Sequence, residues 1–187
     1  MDKSDLISQY MLNQNELFHK KRTDYGYFGS KWAKGLRNVI TKNNILNVLD
    51  YGAGKRSLEK ELSSIVNIKS YDPAIYDISD EPEPAELVTC THVLEHIEPV
   101  LLENILQHIY MLSTKMVFIS VDSGPSNKIL PDGRDSNLIQ QEIAWWKDRI
   151  GKYFDITNYD RRSFIQKGIL VKTDVKNKGT FLGKKKI

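Results

Sequence analysis

Val48-Leu49-Asp50-Tyr51-Gly52-Ala53-Gly54 is the stretch on which the fold is read. A short apolar run meets an aspartate and then a Gly-x-Gly turn. Glycine at position 52 lets backbone come close to a ligand, and a helix starting beyond the turn would present unpaired N–H groups. The carboxylate of Asp50, at the strand end, suits hydrogen bonds from an ammonium group. Asp72 ends the next strand twenty-two positions later. From that position nucleotide-binding α/β sheets place a carboxylate on ribose hydroxyls.

The pattern around this turn alternates. Ile45 to Asp50 reads as a strand, Arg56 to Ser64 as a helix, and Asn67 to Asp72 as a second strand. Glu86 to Thr91 is a third strand, Pro99 to Leu112 a helix, and Lys115 to Val121 a fourth strand. That fourth strand is almost continuously apolar, as expected when both faces are covered. Such alternation predicts an α/β fold, with a mostly parallel sheet and helices on both faces. Only fourteen positions separate Asp72 from Glu86, too few for a helix and a strand. The strand region at that point should therefore be reduced, leaving an open sheet edge.

Upstream, Leu6, Ile7, Tyr10, Met11, Leu17 and Phe18 follow helical spacing between Lys3 and Lys21. Ser30 reads as the N-cap of a helix through Thr41. Residues 1–44 are expected to form a cap of helices, 45–175 the sheet domain, and 176–187 a basic tail, all within one domain. After Val121 come the turn formers Asp122 to Asn127 and Pro131-Asp132-Gly133-Arg134, then a helix from Gln140 to Ile150. Trp145 and Trp146 are adjacent on it, so one is expected in the core and the other at an acceptor pocket or an interface. Two late strands, near 153–158 and 163–173, should form an antiparallel pair at one edge.

The chain has 187 residues, 40% hydrophobic and 27% charged, enough for one core. Its longest apolar stretches, such as Met116 to Ile119, are too short to span a bilayer. The net charge is +3, with basic runs at His19 to Arg22 and Lys184 to Lys186. These are read as solvated clusters, with contact to a nucleic-acid backbone as the alternative. The single cysteine, Cys90, leaves no internal disulfide and falls within a strand, where it packs. With no apolar signal core behind Met1-Asp2-Lys3, the expectation is a cytoplasmic protein, in host cytoplasm if viral.

Taken together, these motifs resemble the class I S-adenosylmethionine-dependent methyltransferase family. Val48 to Gly54 is similar to its first motif and Tyr71-Asp72-Pro73 to its ribose-binding second motif. Glu86 to Ile97 is similar to its strand-to-helix segment ending in Val-Leu-Glu-His-Ile. The Pro131 to Arg134 loop and the tryptophan pair resemble short bacterial and phage members. The resemblance covers Ile45 to Leu112 and implies a Rossmann-like methyltransferase fold with S-adenosylmethionine as cofactor. It implies that Asp50 and Gly52 meet the methionine portion, Asp72 the ribose, and Pro73 and Asp77 the adenine, with Gly54 also binding the cofactor. Thr91 and His92 would lie near the reactive methyl. One departure is Lys55-Arg56, where the family often has a small residue. Arg56 would point to solvent, crowd the cofactor carboxylate or pair with it.

Methyl transfer needs alignment and, for a hydroxyl or acidic N–H acceptor, a base. His92 and His96 are the histidines beside the expected methyl site and are the catalytic candidates; the plain alternative for His96 is packing at a helix start. Arg134, Asn137 and Gln140, in or after the long loop, are the candidate acceptor-binding residues. His92 to His96 also spells H-x-x-E-H, but a zinc peptidase needs it on a helix, and here it begins at a strand end. The adopted reading has no metal. An alternative follows from resemblance to the Glu-x-x-Glu-His of small-RNA 2′-O-methyltransferases. It would place a divalent ion on His92, Glu95 and His96, with Asn137 as the nearest further ligand. The expected activity is methyl transfer to an oxygen or nitrogen, on a small molecule or else a nucleic acid. A fold-retaining scaffold that has lost turnover is the alternative.

Overall fold

The computed structural model describes residues 1–22, 25–126, 128–160 and 168–174. The strands are β1 (Asn47–Tyr51), β2 (Asn67–Tyr71), β3 (Ala85–Thr91), β4 (Ser113–Asp122), β5 (Ile156–Asp160) and β6 (Gly168–Asp174). They form one six-stranded sheet in the order β2-β1-β3-β4-β6-β5. The first four pair in parallel, and β6 runs antiparallel between β4 and β5. The helices are α1 (Gln9–Lys21), α2 (Ala33–Lys42), α3 (Ser57–Leu62), α4 (Leu102–Leu112) and α5 (Ile143–Gly151).

The parallel strands are apolar on both faces because helices cover both. Leu49, Tyr51, Val88, Cys90, Val117 and Ile119 point to one side, where Ile105, Leu106 and Ile109 of α4 pack with Trp146 and Ile150 of α5. The alternate residues Val48, Leu87, Met116 and Phe118 point to the other, against Leu36 and Ile40 of α2 and Leu58 and Leu62 of α3. A period of two along each strand thus divides a continuous apolar run between two cores. Cys90 lies fully buried in the first of them, a packing residue.

As the short interval after Asp72 requires, β2 is the sheet edge. Only a single helical turn, Tyr76–Ile78, lies between β2 and β3. This is the mostly parallel α/β sheet with helices on both faces expected from the sequence, reduced between β2 and β3.

Two local expectations need correction. The first helix is broken: Lys3–Asp5 form one turn, and α1 starts afresh where the Ser8 hydroxyl accepts the Met11 N–H at 3.1 Å. Ser30 is not an N-cap. It sits within the helical turn Phe28–Trp32 that runs straight into α2, and its hydroxyl donates to the Tyr27 carbonyl. The late strands form the antiparallel pair expected at one edge, with β6 beside β4. Residues 163–167 and the basic tail 176–187 lie outside the described residues. Among the described residues no helix is long and apolar enough to cross a membrane.

Trp146 is fully buried and Trp145 half-buried, its ring edge-on to Trp146 at 5.1 Å and beneath the Arg149 guanidinium. Trp145 packs on the same core and does not reach the pocket described below. Trp146→Ala should lower unfolding free energy by about 3–5 kcal/mol, the scale for emptying an aromatic core site. Urea denaturation followed by circular dichroism checks this.

Candidate active site at the carboxyl ends of the parallel strands

The chain leaves β1 toward β2 on one side and returns to β3 on the other, so a crevice opens beyond the ends of β1 and β3. Open α/β sheets bind ligands at such a switch point. A pocket of about 340 Å³ lies there.

Its floor is the glycine turn. Gly52 and Gly54 both have positive φ, +75° and +53°. A Cβ on Gly52 would stand 2.3 Å from a Val93 methyl, and one on Gly54 would stand 2.7 Å from the Cα of Gly26. Both contacts and both dihedrals demand glycine. The turn is pinned by the Tyr71 carbonyl, which accepts the Gly52 and Ala53 N–H groups, and by Asp72. Asp72 Oδ2 accepts the Gly54 N–H and Oδ1 the Ala74 N–H, each at 3.0 Å. Each oxygen keeps a second lone pair, which suits it to take hydroxyl donors as well.

Asp50 is buried beside this turn, with the Thr89 hydroxyl donating to it at 2.9 Å. Burial pushes its carboxyl up to about 7, against the Thr89 hydrogen bond. A buried carboxyl so poised favours a cationic partner.

The far wall is the segment after β3. His92 takes the left-handed conformation, φ +55°, and its N–H donates to the Ser120 carbonyl. This bend turns the chain out of β3, so H-x-x-E-H does not lie on one helix face. His92 Nδ1 lies 3.0 Å from Glu95 Oε1, which also accepts the Asp122 N–H at 2.9 Å. Burial raises the Glu95 carboxyl, but the His92 hydrogen bond and the positive field of both neighbouring histidines prevail, holding it below its ordinary range. His92 Nε2 and Glu95 Oε2 are buried without a hydrogen-bond partner. His96 Nδ1 donates to the Ser136 carbonyl at 2.7 Å, its acceptor lacking any proton to give. Among the described residues no three His, Cys, Asp or Glu side chains gather in a way that could hold a metal ion. The alternative set of His92, Glu95 and His96 is not assembled.

Residues before β1 roof the pocket. Asn15 and His19 of α1 line it with Tyr25, Gly26 and Phe28. Phe28 lies 4.2 Å from the His92 ring, and Trp32 stacks near parallel to it at 6.3 Å. The roof is fastened to the glycine turn where Lys55 N–H donates to Gly26 O and Lys55 Nζ to His19 O. Burial pushes the His19 imidazole down.

Most sequence candidates converge here: Asp50, Gly52, Gly54, Asp72, Pro73, Thr91, His92, His96 and Asn137 all line the pocket. Asn137 is buried and donates to the Gly124 carbonyl. Three candidates do not reach it. Asp77 is 77% exposed and pairs with Arg56 at 3.9 Å, which also turns Arg56 away from the pocket. Arg134 is held by Asp132 and by Met11 Sδ, and its guanidinium lies over Tyr10, so it clasps the loop to α1. Gln140 donates back to the Asn137 carbonyl.

The sequence reading did not single out His19, Tyr25 or Phe28 as pocket residues, or Glu95 as the partner of His92. Glu95 carried a signal, since an acidic residue three positions after a histidine can reach it around one turn. The roof residues carried none, because their contacts are with segments distant in sequence.

No protein-family model matches the sequence, and no relative is found among curated proteins. Solved structures do match. A methyltransferase dependent on S-adenosylmethionine from Clostridium acetobutylicum superposes with a TM-score of 0.61 at 11% identity, over 88% of this chain and 98% of that one. The 1,6-didemethyltoxoflavin-N1-methyltransferase of Burkholderia thailandensis, solved with its acceptor and S-adenosylhomocysteine, gives 0.60 at 12% identity, over 88% of each chain. Magnesium protoporphyrin IX methyltransferase of Synechocystis PCC 6803, solved with S-adenosylmethionine, gives 0.55 at 12%, over 91% of this chain and 93% of that one. The chain has the class I methyltransferase fold.

The raised carboxyl of Asp50 has a consequence for stability. The folded state keeps a proton there that the unfolded chain releases near pH 4, so this group's contribution falls as pH rises from about 4 to about 7, then levels off. Asp50→Asn should remove that slope, raising Tm relative to wild type more at pH 8 than at pH 5. Thermal melts of both proteins across this range check it.

Proposed function

We propose that this protein is an S-adenosylmethionine-dependent methyltransferase acting on an oxygen or nitrogen of a small molecule. The observation that carries the reading is the glycine turn held between two buried carboxylates, Asp50 and Asp72, at the sheet's switch point. The residues fit the cofactor in kind. Asp72 offers two carboxylate oxygens at a strand end for ribose hydroxyls, and Asp50 offers a poised carboxyl for an ammonium group. The side-chain-free cradle at Gly52 and Gly54 admits a ligand against backbone. Pro73 would border the adenine, and Thr91 the methyl region. Bound there, the cofactor supplies an electrophilic methyl on a sulfonium.

The chain's part is positioning, exclusion of water and management of one proton. Residues 1–44 act as the lid: α1, Tyr25 and Phe28 cover the pocket, and Lys55 latches them to the turn. His92, a pocket-lining residue whose Nε2 has no hydrogen-bond partner, is the base, and His96 and Asn137 border the acceptor. The structural neighbours support a small acceptor, since their names specify magnesium protoporphyrin IX and 1,6-didemethyltoxoflavin. The scaffold alternative loses one of its motives, because Arg56 faces Asp77 rather than the pocket.

Calorimetry tests the reading. S-adenosylmethionine should bind in the micromolar range and Asp72→Ala should weaken it at least about tenfold, the scale of losing a charge-assisted hydrogen bond. A folded wild-type protein that binds none would refute the proposal. Cationic ligand beside Asp50 should also expel its proton. Binding near pH 6.5 should therefore release protons, seen by repeating the titration in buffers of different ionisation enthalpy, and tighten toward pH 8. Asp50→Asn should abolish the release.

A further inference from the structure

The pairing of His92 with Glu95 says more about the reaction than the fold does. Glu95 Oε1 accepts the Asp122 N–H, and the carboxyl is held below its ordinary range, so this oxygen is an acceptor. At 3.0 Å from Glu95 Oε1, His92 Nδ1 must therefore be the donor. In the neutral ring the proton is then on Nδ1, and the lone pair is on Nε2. That atom is buried without a hydrogen-bond partner, on a pocket-lining side chain that is 10% exposed. The ring cannot easily turn to exchange its nitrogens, because Phe28 and Trp32 lie against it. The bend at φ +55° in turn sets where the ring starts. The Asp122 N–H anchors the same Glu95 oxygen, so the end of β4 steadies the carboxylate.

We propose that Glu95 is a positioning residue that fixes His92 as a base acting through Nε2, and that the acceptor is therefore an un-ionised hydroxyl or acidic N–H. This rests on the methyltransferase reading. A carboxylate or a free amine acceptor carries its lone pair already and has no use for such a base. With a hydroxyl, the O–H proton passes to His92 Nε2 while the oxygen bonds the methyl carbon. The carbon–sulfur bond breaks with its electron pair kept by sulfur, which becomes a neutral thioether. The imidazolium so formed faces the Glu95 carboxylate, which stabilises it until the proton leaves to solvent. Orientation of a histidine by a carboxylate is a general device for this purpose.

The test is a long-range ¹H–¹⁵N spectrum of the full-length, histidine-labelled protein bound to S-adenosylhomocysteine, recorded at about pH 8. With four histidines in the chain, His92→Gln assigns the His92 signals by their loss. The expected result is a pyridine-type Nε2 and a protonated Nδ1 on His92, favoured at least about tenfold, the scale of a charge-assisted hydrogen bond. Glu95→Leu should release that preference, and Glu95→Gln, which keeps an accepting oxygen, should restore it. A merely structural Glu95 would leave the tautomer unmoved. If Glu95→Leu fails to fold by circular dichroism, the wild-type spectrum still decides. A proton on His92 Nε2 in the wild type, or an unchanged tautomer in folded Glu95→Leu, overturns the proposal. Binding of S-adenosylhomocysteine, measured on the same sample by calorimetry, separates this outcome from failure of the methyltransferase reading itself, which would show as no binding.

Discussion

At the end of β1, three chain segments meet at distances that only backbone allows. Gly52 lies under Val93, Gly54 lies against Gly26, and Asp72 draws the turn down through the Gly54 N–H. Everything around the pocket is referred to this contact. A side chain at either glycine would lift the segment after β3 or the roof before β1, and it would need a backbone conformation that L-residues adopt with strain. The same approach that packs the three segments also leaves room for a ligand to lie directly on backbone. Packing and binding place one demand on the same two positions.

Around this junction the protein accepts several local costs together. Asp50 is a buried carboxyl lifted toward neutrality, His92 sits in left-handed backbone, and His92 Nε2 and Glu95 Oε2 lie buried without partners. Each is unfavourable alone, and each persists because well-packed elements surround it. The two apolar faces of the sheet supply that support, with α4 and α5 on one side and α2 and α3 on the other. Elsewhere a buried polar side chain can have both of its ends met. His108 is such a satisfied case, meeting Tyr51 through one ring nitrogen and Glu81 through the other.

The roof shows how residues far apart in sequence close the site. Phe18 and Met11 of α1 pack with Leu130 of the long loop into a small core of their own. The Tyr10 hydroxyl and Arg134 both bind Asp132, fastening the loop to α1. Arg134 is thereby spent on holding the loop, although its position after β4 made it a natural anchor for an anionic ligand. Asp77 is similar: its place after Asp72 suggested adenine, but the short connection carries it outward to Arg56. In both cases side-chain direction depended on a partner that local pattern does not reveal.

By itself the sequence determined the parallel sheet, the missing strand and the floor of the site. Those features are local: an apolar run of given length, a glycine forced by positive φ, a carboxylate at a strand end, and too few residues between Asp72 and Glu86 to build another strand. Tertiary structure alone decided the roof, the union of His92 with Glu95, and the exclusion of Asp77, Arg134 and Gln140 from the pocket. The physical reason is one of range. Backbone conformation and burial periodicity are set by neighbours along the chain. The direction of a side chain and the protonation of a ring nitrogen are set by whichever group lies across a few ångströms of space, and packing brings that group from anywhere in the sequence.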